Sequence, residues 1–405
     1  MSKMQSILLS QTAPMIGHLS AYANTLTAII PDLYAGMDVV SRELVGFIPS
    51  VTRNSSAERA AVGQSVVYDI APTPTPFNVT PSMTVPEPDN FTTGAGSLTI
   101  SKSRGVAFGW TGEEQRAVDT GLGYLSVQAN NFAQGLRVLV NEMEADIAAA
   151  AAVAGSRAIG TAGTTPFGSD FDAIADIRKI LDDNGAPSTE RSLVMNTSAG
   201  ANLRKLSSLT NVGDAGTTMT LRDGELLNIH GFSLKESAQV ATVTAGDASG
   251  AKTNTAGYAV GAKVITLGSV GTGAIKAGDV ITFAGDTNQY VVASGDTDVS
   301  NGGTITLADP GLRVAIPAAA TAITVLATHA SNVAFSRNAL HLVTRAPALP
   351  REGDSAIDRM QITDPRSGMV FEISVYAVYR KLRAEVTAAW GVGAIKPEHI
   401  ALLLG

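Results

Sequence analysis

Between Val118 and Ala150 the apolar residues step by fours and threes: Val118, Leu122, Leu125, Ala129, Phe132, Leu136, Leu139, Met143, Ile147 and Ala150. Residues three and four apart share one face of a helix, so the spacing predicts one helix with a single apolar stripe. Thr111 with Glu114 three positions later reads as a capping box at its start. No proline interrupts the run before Gly155. At 1.5 Å per residue such a helix is about 60 Å long, where a mean globular helix has about 11–12 residues. A helix of that length is a structural spine, and the rest of the chain has to be arranged around it.

The segments before the spine lack the means to bury themselves. Over residues 63–110, Val66, Tyr68 and Ile70 alternate with Ser65, Val67 and Asp69, and Leu98 and Ile100 alternate with Ser97, Thr99 and Ser101. A period of two argues for strands. Between them lie Pro72, Pro74, Pro76, Pro81, Pro86 and Pro88, which exclude a helix and hold the backbone extended. The pattern predicts a long two-stranded arm with a proline-rich tip. An isolated ribbon is marginal in water, so the arm is expected to rest on something, plausibly a neighbouring copy. Residues 1–50 read as short helical pieces broken by Pro14, Pro31 and Pro49, too short for a core of their own. They suit a tail docked on its own domain or an arm laid across another subunit.

After the spine, a second helix is expected from Ser169 or Asp170, using Phe171, Ile174, Ile177 and Leu181 and stopping at Asn184-Gly185 and Pro187. Arg191–Met195 reads as a buried strand, Ala199–Leu206 as a short helix, and Gly224–Ser237 as strands around a turn. Composition shifts near residue 239: residues 240–327 hold thirteen of the forty glycines, with short Val/Ile/Thr runs between Gly/Asp turns. That pattern predicts a small inserted β-barrel or sandwich. Gly368–Arg380 reads as a long buried strand, Leu382–Trp390 as another strand, and the end of the chain as a short apolar tail. The expected divisions are 1–50 arm, 51–110 β arm, 111–160 spine, 161–238 and 328–405 a mixed α/β host, and 239–327 the insert.

Composition removes several functions. The 405 residues contain no cysteine, which excludes thiol nucleophiles, cysteine-ligated zinc and iron–sulfur clusters. The 29 Lys+Arg against 36 Asp+Glu leave a net charge of −7, with no basic surplus for gripping a nucleic-acid backbone. The charge-free runs from Met4 to Pro31 and Val314 to Ser336 are interrupted by polar residues and proline, so neither reads as a membrane span or a targeting segment. The expectation is a soluble chain. No zinc-protease pair, phosphate loop or nucleophile elbow is present. Gly271 and Gly273 begin a GxG whose third glycine position holds Lys276. Asp296-Thr297-Asp298 resembles the start of a calcium loop, but Asn301 and Leu307 occupy the positions needing Gly and Glu. Of the five histidines, His230 and His341 lie in strand-like runs and read as buried, hydrogen-bonded residues. Asp182-Asp183 sits near a helix C-terminus, where the dipole does not favour it. No catalytic, metal or cofactor residue is expected.

The order of parts, with GEEQRAVDTGLGYLSVQANNFAQGLRVLVNEMEADIAAAA from Gly112, GELLNIHGFSLKES, SNVAFSRNALHLVTRAP and DPRSGMVFEISVYAVYRKL, resembles the major capsid proteins of tailed bacteriophages. The resemblance covers essentially the whole chain and implies an α+β protein with the Hong Kong 97-type (Johnson) capsid fold. Its parts would be an N-terminal arm, an extended β arm (E-loop), a long spine helix, a mixed α/β A-domain and an inserted all-β barrel, as in coat proteins of short-tailed Salmonella phages. It implies hundreds of copies, as hexamers and pentamers, forming first a procapsid and then an icosahedral shell around double-stranded DNA. Partners would be other copies, a scaffolding protein and a portal protein, with no membrane and no cofactor. Localisation would be the virion, assembled in the bacterial cytoplasm. Asp32 and Asp38 are the residues implied for the scaffold contact. Pro76, Phe77, Pro81 and Met83 are those expected at the tip of the intersubunit arm. Other assembly proteins (an encapsulin-type compartment, a tail or decoration component) and a soluble enzyme with a β accessory domain are the alternatives.

Overall fold

The computed structural model describes residues 45–70, 76, 78–81, 83, 94–119, 124–211, 226, 228–364 and 368–405. A 3-10 turn at Ile48–Ser50 leads into β1 (Thr52–Ala60), β2 (Ser65–Ile70), β3 (Gly94–Thr99) and β4 (Lys102–Thr111). Helices α1 (Gly112–Asp119) and α2 (Tyr124–Ala154) follow, then β5 (Arg157–Ile159), α3 (Asp172–Asp183), β6 (Arg191–Met195), α4 (Thr197–Lys205) and α5 (Ser207–Thr210). Next come β7 (Phe232–Glu236), β8 (Thr242–Val243), β9 (Val264–Leu267), β10 (Val280–Phe283), β11 (Gln289–Ser294), β12 (Gly303–Leu307) and β13 (Ile323–Val325). The chain closes with β14 (His329–Ser336), β15 (Leu340–Pro347), β16 (Ala356–Thr363), β17 (Val370–Val378), β18 (Lys381–Ala394) and β19 (Ile400–Leu404).

The long helix is α2, 31 residues, or about 46 Å. The expected continuous spine is described on both sides of residues 120–123, as α1 and α2, and those four residues lie outside the described ones. The capping box is formed at α1. The Thr111 N–H donates to Glu114 Oε2 at 2.8 Å, and the Glu114 N–H donates to Thr111 Oγ1 at 3.3 Å. Those backbone and hydroxyl donors hold the Glu114 carboxyl below its usual range.

Helix α2 lies on a six-stranded sheet of order β1-β15-β18-β17-β16, with β4 on the other edge of β18. Phe132, Leu136, Leu139, Met143 and Ile147 bury against Trp390, Val386 and Phe371, and Phe108 meets Phe132 edge-on at 4.8 Å. Polar ties run along the same contact. Lys102 Nζ reaches Glu142 (3.1 Å) and Asp146 (2.8 Å), and Trp390 Nε1 donates to Asp146 Oδ2 at 2.8 Å.

A second sheet of eleven strands runs β13-β10-β11-β5-β19-β14-β6-β7, with β12 and β9 continuing from β11 and β8 pairing β14. Helix α3 stops at Asn184 and at Gly185, whose φ is +76°, the left-handed C-terminal conformation that glycine favours. The expected apolar tail is corrected: Ile400–Leu404 is a fully buried central strand, parallel to β5 and antiparallel to β14. Five consecutive apolar residues suit a strand covered on both faces. His230 is also corrected. It is exposed, with φ +49° beside Gly231 at +81°, in the turn that bridges Ile229 to Phe232. The Asp182-Asp183 pair finds its reason in arginines: Asp182 meets Arg191 at 2.7 Å and Arg178 at 3.4 Å, and Asp183 meets the buried Arg157 at 3.4 Å.

Residues 251–323 gather their own apolar core, including Ile265, Leu267, Ile281, Val292, Ile305 and Leu307. Yet β11 continues the neighbouring sheet by pairing with β5, Gln289 opposite Ala158 and Tyr290 opposite Arg157. At this seam the buried Tyr290 hydroxyl donates to Asp286 Oδ2 (2.6 Å) and accepts from the Arg313 N–H (3.0 Å). Burial and the Asp286 carboxylate push Tyr290 up to about 12. In the unfolded chain a tyrosine titrates near 10. Between those values the unfolded chain holds fewer protons than the folded one, so this group's share of stability falls as pH rises from about 10 towards 12. Tyr290→Phe is expected to cost about 1 kcal/mol at neutral pH through the lost hydrogen bonds. It should also flatten that alkaline loss, read as the change in urea midpoint between pH 9 and pH 11 beside the parent. An equally steep loss in the variant would contradict the assignment.

Candidate functional site

The β2–β3 ribbon forms a two-stranded sheet apart from the two large ones. Its six pairs, Ser65–Thr99 through Ile70–Gly94, are the pairings either strand makes among the described residues. At the root it is well held. The Gly63 N–H donates to Ile100 O and the Ile100 N–H to Gln64 O, both at 2.9 Å. Leu98 and Ile100 bury with Ala60, Val343 and Ala389. Tyr68 lies across Gly96, where a Cβ would fall 2.2 Å from its ring. Tyr68 also meets the His341 ring at 6.0 Å, and burial lowers the His341 pKa. Away from the root the cover ends. Val67 is 63% exposed, Val79 88%, and Met83 fully so.

Of the residues expected at the arm tip, Pro76, Pro81 and Met83 are exposed, and Phe77 lies outside the described residues. The expected scaffold residues Asp32 and Asp38 also lie outside them. The Asp298 carboxylate of the calcium-like run is taken up locally, accepting from the Ser300 N–H (3.0 Å), the Ser300 hydroxyl (2.7 Å) and Asn301 Nδ2 (2.8 Å). Among the described residues no three His, Asp or Glu side chains gather as a metal ion would need, and no helix is long and apolar enough to cross a membrane.

Two buried carboxylates brace the segment leading into the ribbon, and neither stood out in the sequence. Glu144 on α2, 1% exposed, accepts three backbone donors: Gly46 N–H (2.6 Å) and Phe47 N–H (2.7 Å) on Oε1, and Ile48 N–H (2.9 Å) on Oε2. Burial raises its pKa, against the pull of those donors and the Ser237 hydroxyl. The donors it satisfies are the orphan N–H groups at the start of the 3-10 turn. Phe47, Ile48 and Val51 of that segment sit in the main core, with Phe47 stacked on Phe335 at 6.1 Å. The signal was available: Glu144 stands between Val140 and Ile147 at helical spacing, a charge on an apolar face. Glu372, inside the buried strand β17, pairs with Arg59 at the end of β1 and with Arg359 Nε at 3.2 Å. Arg59 also donates to Pro347 O at 2.8 Å. A glutamate flanked by Phe371 and Ile373 was the corresponding clue.

The arrangement offers anchors and an extended element. No protein-family model matches the chain, and no curated protein matches it. Its fold is similar to several solved structures. One is from Mycobacterium phage Che8 (15% identity, 85% of each chain covered, TM-score 0.43). A second is the capsid of the cyanophage P-SCSP1u (13% identity, 87% of this chain and 86% of that one, TM-score 0.46). A third is a virus-like particle from Pyrococcus furiosus (11% identity, 92% and 96%, TM-score 0.40).

Proposed function

We propose that this chain is a shell-forming major capsid protein. Copies assemble through procapsid to an icosahedral phage head enclosing double-stranded DNA. The observation that carries the reading is the β2–β3 ribbon. It is fastened to the subunit at its root and runs out with apolar side chains uncovered, in a form that is marginal without a surface beneath it. A second copy supplies that surface, and Pro76, Phe77, Pro81 and Met83 are the tip residues we assign to it. The net charge of −7 suits a container for DNA, because strong phosphate contacts would hold the packaged polymer in place.

The finer points belong to the same proposal. Residues 239–327 act as an inserted domain like that of the short-tailed Salmonella phage coat proteins. Asp32 and Asp38 contact a basic scaffolding protein, a portal protein takes one vertex, and assembly in the bacterial cytoplasm precedes residence in the virion. The protein has no enzymatic role. The test is electron microscopy and size-exclusion chromatography of the purified protein, alone and with a co-expressed scaffold. Hollow particles of uniform size are expected. A protein that stays monomeric under every assembly condition would overturn the reading.

A further inference from the structure

The ribbon root crosses β18 where that strand has no side chains. Gly391 and Gly393 are two apart and so share one face of the strand. A Cβ on Gly391 would lie 2.3 Å from Thr99 O and 3.1 Å from Ile100 Cα, whereas a Cβ on Gly393 would meet the Leu98 Cδ1 methyl at 2.5 Å. Neither glycine has a positive φ, so these positions need glycine for space and not for backbone freedom. β18 itself cannot yield, because it is hydrogen-bonded to β4 from Lys381 to Trp390 and to β15 from Ala389 to Ala394. The ribbon strands pair only with each other among the described residues, and the chain is tied to β18 from Ser101, whose N–H donates to Trp390 O at 3.0 Å, so the ribbon beyond Ser101 is the part that can move.

We infer that Gly391 and Gly393 form a steric seat that sets the angle at which the ribbon leaves the subunit. Beyond the Ser101–Trp390 hydrogen bond, shape and not a shared ladder holds the resting direction, with Leu98 and Tyr68 closing on it from the ribbon side. Gly391 is therefore the positioning residue for assembly, with Gly393 leaving room for Leu98, a role that rests on the shell reading above. They differ in force. The methyl of Gly391→Ala collides with ribbon backbone and has to move it. That of Gly393→Ala collides with the end of one flexible side chain, which can turn away.

The cysteine-free chain gives a clean test. Asn78→Cys in the segment between β2 and β3 and Ala175→Cys on α3, both exposed, take a pair of spin labels or dyes in the soluble subunit. G391A is expected to shift the label distance by several ångströms, and G393A to leave it within error. Particles formed by G391A, imaged in parallel, should change in diameter or fail to close. A folded G391A subunit with the parent distance overturns the seat. A shifted distance with particles of unchanged yield and size keeps the seat and overturns its role in assembly. If G391A does not fold, Leu98→Ala tests the same seat from the ribbon side: a broadened or shifted distance supports it, and the parent distribution overturns it.

Discussion

Replacing Glu144 by alanine is expected to lower the unfolding free energy by about 3–5 kcal/mol, the range for removing one partner from a buried charged network. Three backbone donors, Gly46, Phe47 and Ile48, lose their acceptor in a place water does not reach. Each such orphan costs about 1–3 kcal/mol, and partial relaxation keeps the total below their sum. Glu144→Gln keeps one acceptor oxygen but turns an amide NH₂ towards donors, so an intermediate loss of about 1–3 kcal/mol is expected. Urea denaturation reads the totals. Hydrogen exchange locates them, with protection expected to fall first at residues 46–51. Gly46 passes where no side chain fits, because a Cβ there would lie 2.6 Å from Val194 Cγ1 and 2.9 Å from Glu236 O. An alanine variant within about 0.5 kcal/mol of the parent, the range of an unremarkable surface change, would mean the carboxylate is not the anchor described.

Glu372→Ala is the second large effect, about 1–3 kcal/mol, because it removes the buried carboxylate that Arg59 pairs with at the foot of the ribbon, while the part-exposed guanidinium keeps Pro347 O. Arg359 keeps Asp354 as a partner, and Asp354 in turn accepts from the Tyr376 hydroxyl at 2.7 Å. The damage should therefore centre on Arg59. Adding Arg59→Met to Glu372→Leu should recover much of the loss, since apolar replacement of both partners removes the unpaired charge. The double-mutant cycle gives the coupling. Additive losses, with no recovery in the double variant, would show that Glu372 acts through packing and not through its arginine. Exchange at Ser65–Tyr68 reports whether the ribbon loosens with it.

Much of the secondary structure is legible along the chain, for a local reason. The strand Arg191–Met195, the helix ending at Asn184-Gly185 and the capping box at Thr111–Glu114 are written within windows of a few residues. Where two readings share a local pattern, they part company with the structure. Ile400–Leu404 is as apolar as a loose tail or a central strand, and only its neighbours β5 and β14 distinguish the two. His230 sits in a run of strand-like residues, and the turn beneath it comes from the left-handed His230-Gly231 pair. The anchors Glu144 and Glu372 were visible as charges on apolar faces, but their partners were not.

By itself the sequence determined the periodicities: an apolar stripe for α2, alternation for the ribbon strands, prolines at the tip, and a glycine-rich stretch of short strands after residue 239. Backbone geometry sets such periods over a few residues, so they can be read without knowing what lies opposite. Only the tertiary structure decided the pairings: β1 parallel to β15, β5 between β11 and β19, and Glu144 on donors 96–98 residues away. Those choices come from competition among many apolar faces of similar period. The arrangement that buries them together and leaves few buried donors or charges unpartnered prevails, and that sum is taken over the whole chain.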